Sequence, residues 1–200
     1  MANRYTDVDL MILKRWDEVK ALREAFDELL DRMGEFVAGS LEKVAAKAGE
    51  RDLLCEMDTK RPSICFWKHD WETRSTKVPG IYFQLFDFAP ATYSKSVEEY
   101  PSMWLMTDQF SKLRMRESSE DFGLAVKSAL SPELLTKWSH DDAKLADSPL
   151  GRDCSNVSDS DRVGFVAEPE ELYKFVIERL DEFMELAPAV DQALQKMTRR

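Results

Sequence analysis

The sequence predicts an α+β fold, with a long N-terminal helix or helical hairpin, an antiparallel sheet of three to five strands, and C-terminal helices packed on the sheet. Apolar residues recur every three or four positions over 7–48, cluster in aromatic-rich runs over 51–116, and return to helical spacing from 118 onward. Runs of strands flanked by runs of helices are typical of α+β folds. With 200 residues, 44% of them hydrophobic, the chain has the size and apolar content of a single domain spanning 1–200.

The N-terminal segment, 7–48, has the spacing of an amphipathic helix. Thr6 is placed to cap its first turn, with Asp9 three positions later as the partner in a capping box. We expect a bend or break at Gly34 or Gly39, because glycine weakens a helix interior. Its large apolar residues recur in steps of three and four, at Ile12, Trp16, Val19, Leu22, Phe26, Leu29, Met33 and Phe36.

The segment 51–116 has the composition of a strand meander. Its apolar runs are rich in aromatic residues and bounded by proline and glycine, and the polar stretch 72–77 separates the first two long runs as a hairpin loop would. We expect strands over 63–71, 80–88 and 102–107, the last of them extending toward Met115, and an edge strand over 53–57.

Helical spacing returns over 118–138. Ser118 and Asp121 form a capping signature, and Pro132 suits the first position of a second short helix. The following stretch, 139–161, contains six Asp against one Lys and one Arg, and we expect a long acidic loop there.

The C-terminal part, 162–198, is predicted to begin with a short strand over 162–167. An amphipathic helix opens at Pro169, and we expect Pro188 to break it, because proline removes a backbone hydrogen bond and clashes with the preceding turn.

The charge and cysteine content limit the partners and the compartment. Asp and Glu number 38 against 28 Lys and Arg, a net charge of −10, so we expect no direct binding to duplex nucleic acid or to anionic membranes. A partner with a basic surface suits this charge. Three cysteines without a CxxC pair, after a polar N-terminus, predict reduced thiols in a cytoplasmic protein.

Several chemistries lack their sequence signatures. There is no glycine-rich phosphate loop, no GxSxG and no zinc-ligand spacing around the two histidines. The one Glu-x-Lys, Glu18-Val-Lys20, falls in the predicted helix, whereas the site of PD-(D/E)xK nucleases needs it on a strand. We therefore assign no catalytic residue, metal or cofactor. The alternative is a hydrolase or nuclease-like α+β enzyme whose site is built from scattered carboxylates and His69.

Trp67, His69 and Trp71 are the first candidates for a binding surface. Their alternate spacing on a strand places them on one face. Two indoles and an imidazole on one face suit a binding cleft, and they suit equally an aromatic ladder packed beneath a helix.

Lys112, Arg114 and Arg116 form a compact basic row beyond the third predicted strand. Such a row suits contact with a phosphate or an acidic partner. It also suits a solvated edge strand whose charges prevent edge-to-edge pairing.

The N-terminal stripe, which includes Trp16 and Phe26, is the remaining candidate. It offers more apolar surface than a small sheet needs, so it packs either on the chain's own core or against another chain, including a second copy in a homodimer. We expect a non-catalytic acidic interaction or regulatory protein that binds another protein. In one form of this function, the protein covers the basic nucleic-acid-binding surface of its partner and presents carboxylates in place of phosphates.

Overall fold

A computed structural model confirms the predicted fold class. It has an N-terminal helical segment, a five-stranded antiparallel sheet, and C-terminal helices that pack on the sheet. The structure describes residues 5–58, 63–73, 78–86, 101–138, 148–154 and 156–197.

The N-terminal segment forms two consecutive helices, α1 (Asp7–Lys14) and α2 (Trp16–Gly49). The predicted capping box is confirmed. The hydroxyl of Thr6 accepts from the backbone N–H of Asp9, and the Asp9 carboxylate accepts from the backbone N–H of Thr6 at 2.7 Å.

The interruption of this segment lies at Arg15, where φ is −120° and ψ is 32°. The break expected at Gly34 or Gly39 is wrong, because α2 is continuous through both positions. Each glycine costs a helix interior only about 1 kcal/mol relative to alanine, and a helix of 34 residues absorbs that cost.

The sheet is an antiparallel meander in which each strand pairs with the next along the chain. The edge strand expected over 53–57 is confirmed, and a fifth strand lies inside the segment predicted as an acidic loop. In order, the strands are β1 (Leu53–Asp58), β2 (Ser63–Lys68), β3 (Tyr82–Phe86), β4 (Ser102–Met106) and β5 (Leu150–Asp153).

The fifth strand forms because its side chains complete the sheet. Leu150 pairs with Leu105 and is fully buried. Gly151 lies against the ring of Trp104, where an added Cβ would come within 2.1 Å of a ring carbon. Of the predicted loop, residues 139–147 and 155 lie outside the described part of the chain.

Two predicted strands are shorter than expected. β2 ends at Lys68, and a 3-10 turn over His69–Trp71 follows it. β4 ends at Met106, and a second 3-10 turn over Phe110–Leu113 replaces the expected extension. In both turns an aromatic side chain enters the core, with Trp71 at 0% exposure and Phe110 at 2%. Burial of a large aromatic side chain outweighs continuation of the strand ladder.

The C-terminal half contains α3 (Ser119–Ala129), α4 (Pro132–Lys137), α5 (Asp159–Ala167) and α6 (Pro169–Lys196). The capping box of α3 and the Pro132 start of α4 are confirmed.

The strand predicted over 162–167 is wrong, because these residues belong to α5. Ser158 and Asp161 form a third capping box, which starts the helix four residues before the apolar run.

The predicted break at Pro188 is also wrong, because α6 continues through it to Lys196. An internal proline costs about 3 kcal/mol. Its neighbours Ala187, Ala189 and Val190 are all at least 95% buried, and this tertiary packing holds the helix together.

The core lies between the sheet and α6. Phe183 of α6 stacks on Phe83 with ring centroids 4.8 Å apart, and it also contacts Trp138 at 5.5 Å and Phe66 at 6.4 Å. The C-terminal turns of α2 pack on α6 and β1.

Candidate functional site

The N-terminal arm, residues 5–35, is the part of the molecule with the most exposed apolar surface. Nine of the eleven exposed large hydrophobic residues in the described part of the chain lie on it, with exposures from 37% to 71%. They are Tyr5, Val8, Met11, Leu13, Trp16, Val19, Leu22, Phe26 and Leu29. Monomeric proteins seldom expose so large a contiguous apolar patch without a binding role.

Five of these residues form one face of α2, which we call the apolar stripe: Trp16, Val19, Leu22, Phe26 and Leu29. Their spacing of three and four residues keeps them on the same side of the helix. The predicted candidates Trp16 and Phe26 are 58% and 53% exposed. The prediction that the stripe exceeds what the core needs agrees with this exposure.

The same face of α2 is buried at the other end of the helix. Val44 lies 18 residues, or about five full turns, after Phe26, and Ser40 lies three heptads after Val19. Ser40, Leu41, Val44 and Ala48 are all at most 5% exposed, beneath α6 and β1. One helix face is therefore covered by the protein's own core at its C-terminal end and bare at its N-terminal end.

The opposite face of the arm is solvated and charged. Ion pairs join Arg15 to Glu18 at 3.7 Å, Lys20 to Glu24 at 3.7 Å, Arg23 to Asp27 at 3.9 Å and Arg32 to Glu28 at 4.0 Å. All eight side chains are more than 60% exposed, so each pair contributes at most about 0.5 kcal/mol. These pairs support a helix in water but leave the apolar stripe uncovered.

The three residues predicted on one strand face are separated by the turn after β2. Trp71 is fully buried, donates its indole N–H to Asp191 at 2.9 Å, and packs edge-on against Phe83. Lys68 pairs with the other oxygen of Asp191 at 2.5 Å. This group joins the end of β2 and the following turn to α6, so Trp71 serves packing.

Trp67 and His69 meet at a shared carboxylate instead. The Trp67 indole donates to Glu72 at 3.1 Å, and the His69 imidazole lies 3.7 Å from the other oxygen of Glu72. The His69 side chain is 74% exposed, while Trp67 is 7% exposed. Only His69 lies at the surface, so the two side chains do not line a cleft of two indoles and an imidazole.

The basic row is not a strand row. Lys112 lies in the 3-10 turn, Arg114 has the left-handed conformation with φ of 54°, and Arg116 lies in a bend. All three are exposed. Arg114 and Arg116 line an open cavity of about 690 Å³ together with Asp108 and Glu117, whose carboxylates offset the positive charge.

The cysteines do not provide a nucleophile. Burial raises the pKa of the Cys55 thiol to about 11 and that of Cys65 to about 12, with nearby carboxylates adding to both shifts. Burial also raises the pKa of Cys154. All three stay protonated at neutral pH, and nucleophilic reaction requires the thiolate.

Within the described ranges, no cluster of three or more His, Cys, Asp or Glu side chains is arranged to hold a metal ion. His140, which belongs to the acidic segment, lies outside those ranges. None of the described helices combines the length and apolar content needed to cross a bilayer.

Sequence reasoning missed the buried ion pairs that join β5 to α6. Arg152 and Arg179 both contact Glu182, the latter at 3.0 Å, and Arg179 lies 5.1 Å from the ring of Phe175. Arg179 and Glu182 are 27 and 30 positions after Arg152 along the chain, so no local pattern connects them with it.

Comparison of the chain with protein families, with curated proteins and with solved structures gives no match. The functional assignment therefore depends on the geometry of the arm.

Proposed function

We propose that the protein is a non-catalytic interaction protein that binds another protein chain through the apolar stripe of its N-terminal arm. The single observation that carries this proposal is the change along one face of α2, which is buried from Ser40 onward and bare from Trp16 to Leu29. A helix face that is apolar throughout and covered over half its length suits a partner that covers the other half.

The exposed surface is large enough for stable binding. Full burial of a Val, Leu or Phe side chain contributes about 1.5–3 kcal/mol. The five stripe residues are between 37% and 71% exposed, so their burial would contribute roughly 4–8 kcal/mol per arm. A partner that brings an apolar face of its own adds a similar amount, which offsets the entropy lost on association.

The arm supports apolar pairing better than it supports coverage of a basic surface. Its nine acidic residues are accompanied by five basic ones, and four of those basic residues pair with acids along the helix. Binding through the stripe should persist at high salt, whereas binding of a basic surface by carboxylates should weaken there.

The hydrolase alternative depended on His69 and scattered carboxylates. His69 is an exposed surface residue whose described ion pair is with Glu72, and this arrangement supplies neither an activated nucleophile nor a metal site. The interaction function is therefore the better supported of the two.

The test begins with affinity capture from the native host, with the full chain immobilised. The captured partner is then purified, and its affinity for the original chain and for two variants is measured. Leu22→Gln with Phe26→Gln removes two stripe residues, and Lys20→Gln with Glu24→Gln is a matched control on the charged face with the same net charge. We expect the stripe variant to lose at least tenfold in affinity and the control to bind as the original chain does. Equal binding by both variants would refute the proposal.

A further inference from the structure

We infer that the chain bound to the arm is a second copy of this protein, paired antiparallel over residues 16–36. The inference rests on the proposed function and specifies its partner. Three features of the arm support it: a self-complementary spacing, a direction that the core imposes, and an apolar area that suits a dimer.

The stripe has the spacing of a two-stranded helix pair. Val19 and Phe26 are seven residues apart. Leu22, Leu29 and Phe36, which follows the stripe on α2, repeat at the same interval. These two series are the a and d positions of a heptad repeat. In an antiparallel pair centred between residues 27 and 28, Phe26 packs against Leu29 of the second copy, and Val19 packs against Phe36.

The core determines the direction of pairing. α2 continues without a break to Gly49, and α6 covers its stripe face from Ser40 onward. In a parallel pair both helices would continue side by side into this region, and each copy's α6 would occupy the space of the other copy's α2. An antiparallel pair avoids the overlap, because the N-terminal end of one arm meets the core of the other.

The break at Arg15 lies where the antiparallel arrangement needs it. In the register above, residue 16 of one copy lies beside residue 39 of the other, where the core begins to cover α2. The helical conformation is interrupted at Arg15, where φ is −120° and ψ is 32°. α1 can therefore turn away from the second copy's core instead of running into it.

The flanking charges permit this register. Arg23 takes an e position and Arg32 a g position of this repeat, so the two flank opposite sides of the seam although they lie at the same level. Arg23 has position 30 of the second copy as its neighbour across the seam, and Arg32 has Ala25, so no like charges face each other. A parallel pair would bring Glu18 opposite Arg23, but both residues are highly exposed and such a pair contributes little. Steric overlap of the cores outweighs it.

The area agrees with a stable dimer of modest size. An aromatic side chain buries about 150–250 Å², so Trp16 and Phe26 at more than half exposure each offer about 100 Å². With the other three stripe residues, one arm offers roughly 400 Å². Two arms together offer roughly 800 Å², and the stems of the flanking arginines bring the total close to ~1,000 Å², the lower limit for a specific interface.

Sedimentation equilibrium of the full chain tests the stoichiometry. We expect a reversible monomer–dimer equilibrium that Leu22→Gln with Phe26→Gln weakens at least tenfold, and that Lys20→Gln with Glu24→Gln leaves unchanged. The highest protein concentration in this experiment is about 0.1–1 mM, which is 100-fold above the concentration used for capture. A chain that is still monomeric there overturns the inference. If that monomeric chain still captures a different protein through the stripe, the proposed function stands and only the identity of the partner is wrong.

Disulfide cross-linking tests the direction. We expect a mixture of the Val19→Cys and Phe36→Cys variants to form a cross-linked dimer containing one copy of each, while Val19→Cys by itself forms none. In the antiparallel register the two Val19 positions lie about 26 Å apart. Self-linking of Val19→Cys would show a parallel pair and overturn the inference. Glu24→Cys, on the charged face, measures the background from the native cysteines.

Discussion

Replacing Phe26 with alanine should leave the unfolding free energy of the single chain almost unchanged, whereas replacing Phe183 should reduce it severely. Phe183 is fully buried, and its ring lies within 6.4 Å of three other aromatic rings, so Phe183→Ala should cost about 3–5 kcal/mol. Phe26 is 53% exposed on a solvated helix. Alanine is the better helix former by about 0.5 kcal/mol, so Phe26→Ala should change stability by less than about 1 kcal/mol in either direction.

The assay is urea unfolding followed by circular dichroism, at a protein concentration below that at which the chain associates. Under this condition the comparison reports packing within one chain. A loss of 3 kcal/mol or more in Phe26→Ala would show that the arm folds back on its own core. That result would refute the reasoning from the bare stripe, since the exposed surface would then be an internal contact.

Four further predictions concern the core and the caps. Gly151→Ala should cost about 1–3 kcal/mol in thermal unfolding, because the added methyl group meets the ring of Trp104; an unchanged Tm would contradict the β4–β5 packing. Asp191→Ala should cost about 1–3 kcal/mol in urea unfolding, since it leaves a buried indole N–H without its acceptor; a neutral effect would contradict that contact. Hydrogen bonds from the side chain and backbone of Ser158 lower the pKa of the Asp161 carboxyl. The cap therefore stabilises the folded protein at pH values above the ordinary Asp pKa near 3.9, and this stabilisation is lost as the pH falls through the lower pKa of the folded state. Asp161→Asn should flatten this part of the acid-unfolding profile, and an identical profile would exclude the cap. Because the pKa of Cys65 is raised to about 12, its alkylation by iodoacetamide at pH 8 should be at least about 100-fold slower in the native protein than in denaturant. Mass spectrometry measures the two rates, and equal rates would contradict the burial of Cys65.

Local signals predicted the helix starts well. Thr6 with Asp9 and Ser118 with Asp121 each place a hydroxyl and a carboxylate within one turn, so the four residues contain all the information needed. Ser158 and Asp161 carry the same signal. It lies in an Asp-rich stretch whose composition is typical of a loop, and the apolar run after it has the length of a short strand, so composition and periodicity both conceal the helix.

Nonlocal packing decided the features that were predicted wrongly. α6 continues through Pro188 because its neighbours are buried in the core, and no propensity along the chain reports that burial. β5 exists because Gly151 fits beneath Trp104, a residue 47 positions earlier. The turn after β2 likewise depends on Asp191, which accepts from Trp71 across the core.

The arm shows where periodicity reaches its limit. Its spacing predicted the helix and made Trp16 and Phe26 candidates for a binding surface, and both side chains are more than half exposed. The same spacing describes a helix covered by its own sheet or by another chain, because a pattern of apolar residues does not identify what covers it. The structure adds that α6 lies over Ser40 and Val44 and leaves the stripe exposed.

Hydrogen–deuterium exchange along α2, measured over a range of protein concentrations, tests the central claim most directly. In dilute solution the amides of residues 41–48 should exchange far more slowly than those of residues 16–35, since only the former lie under the core. As the concentration rises, the amides of residues 16–35 should become protected while the others stay unchanged. Equal and slow exchange at both ends in the most dilute sample would contradict the account, because it would show that the chain covers its own arm.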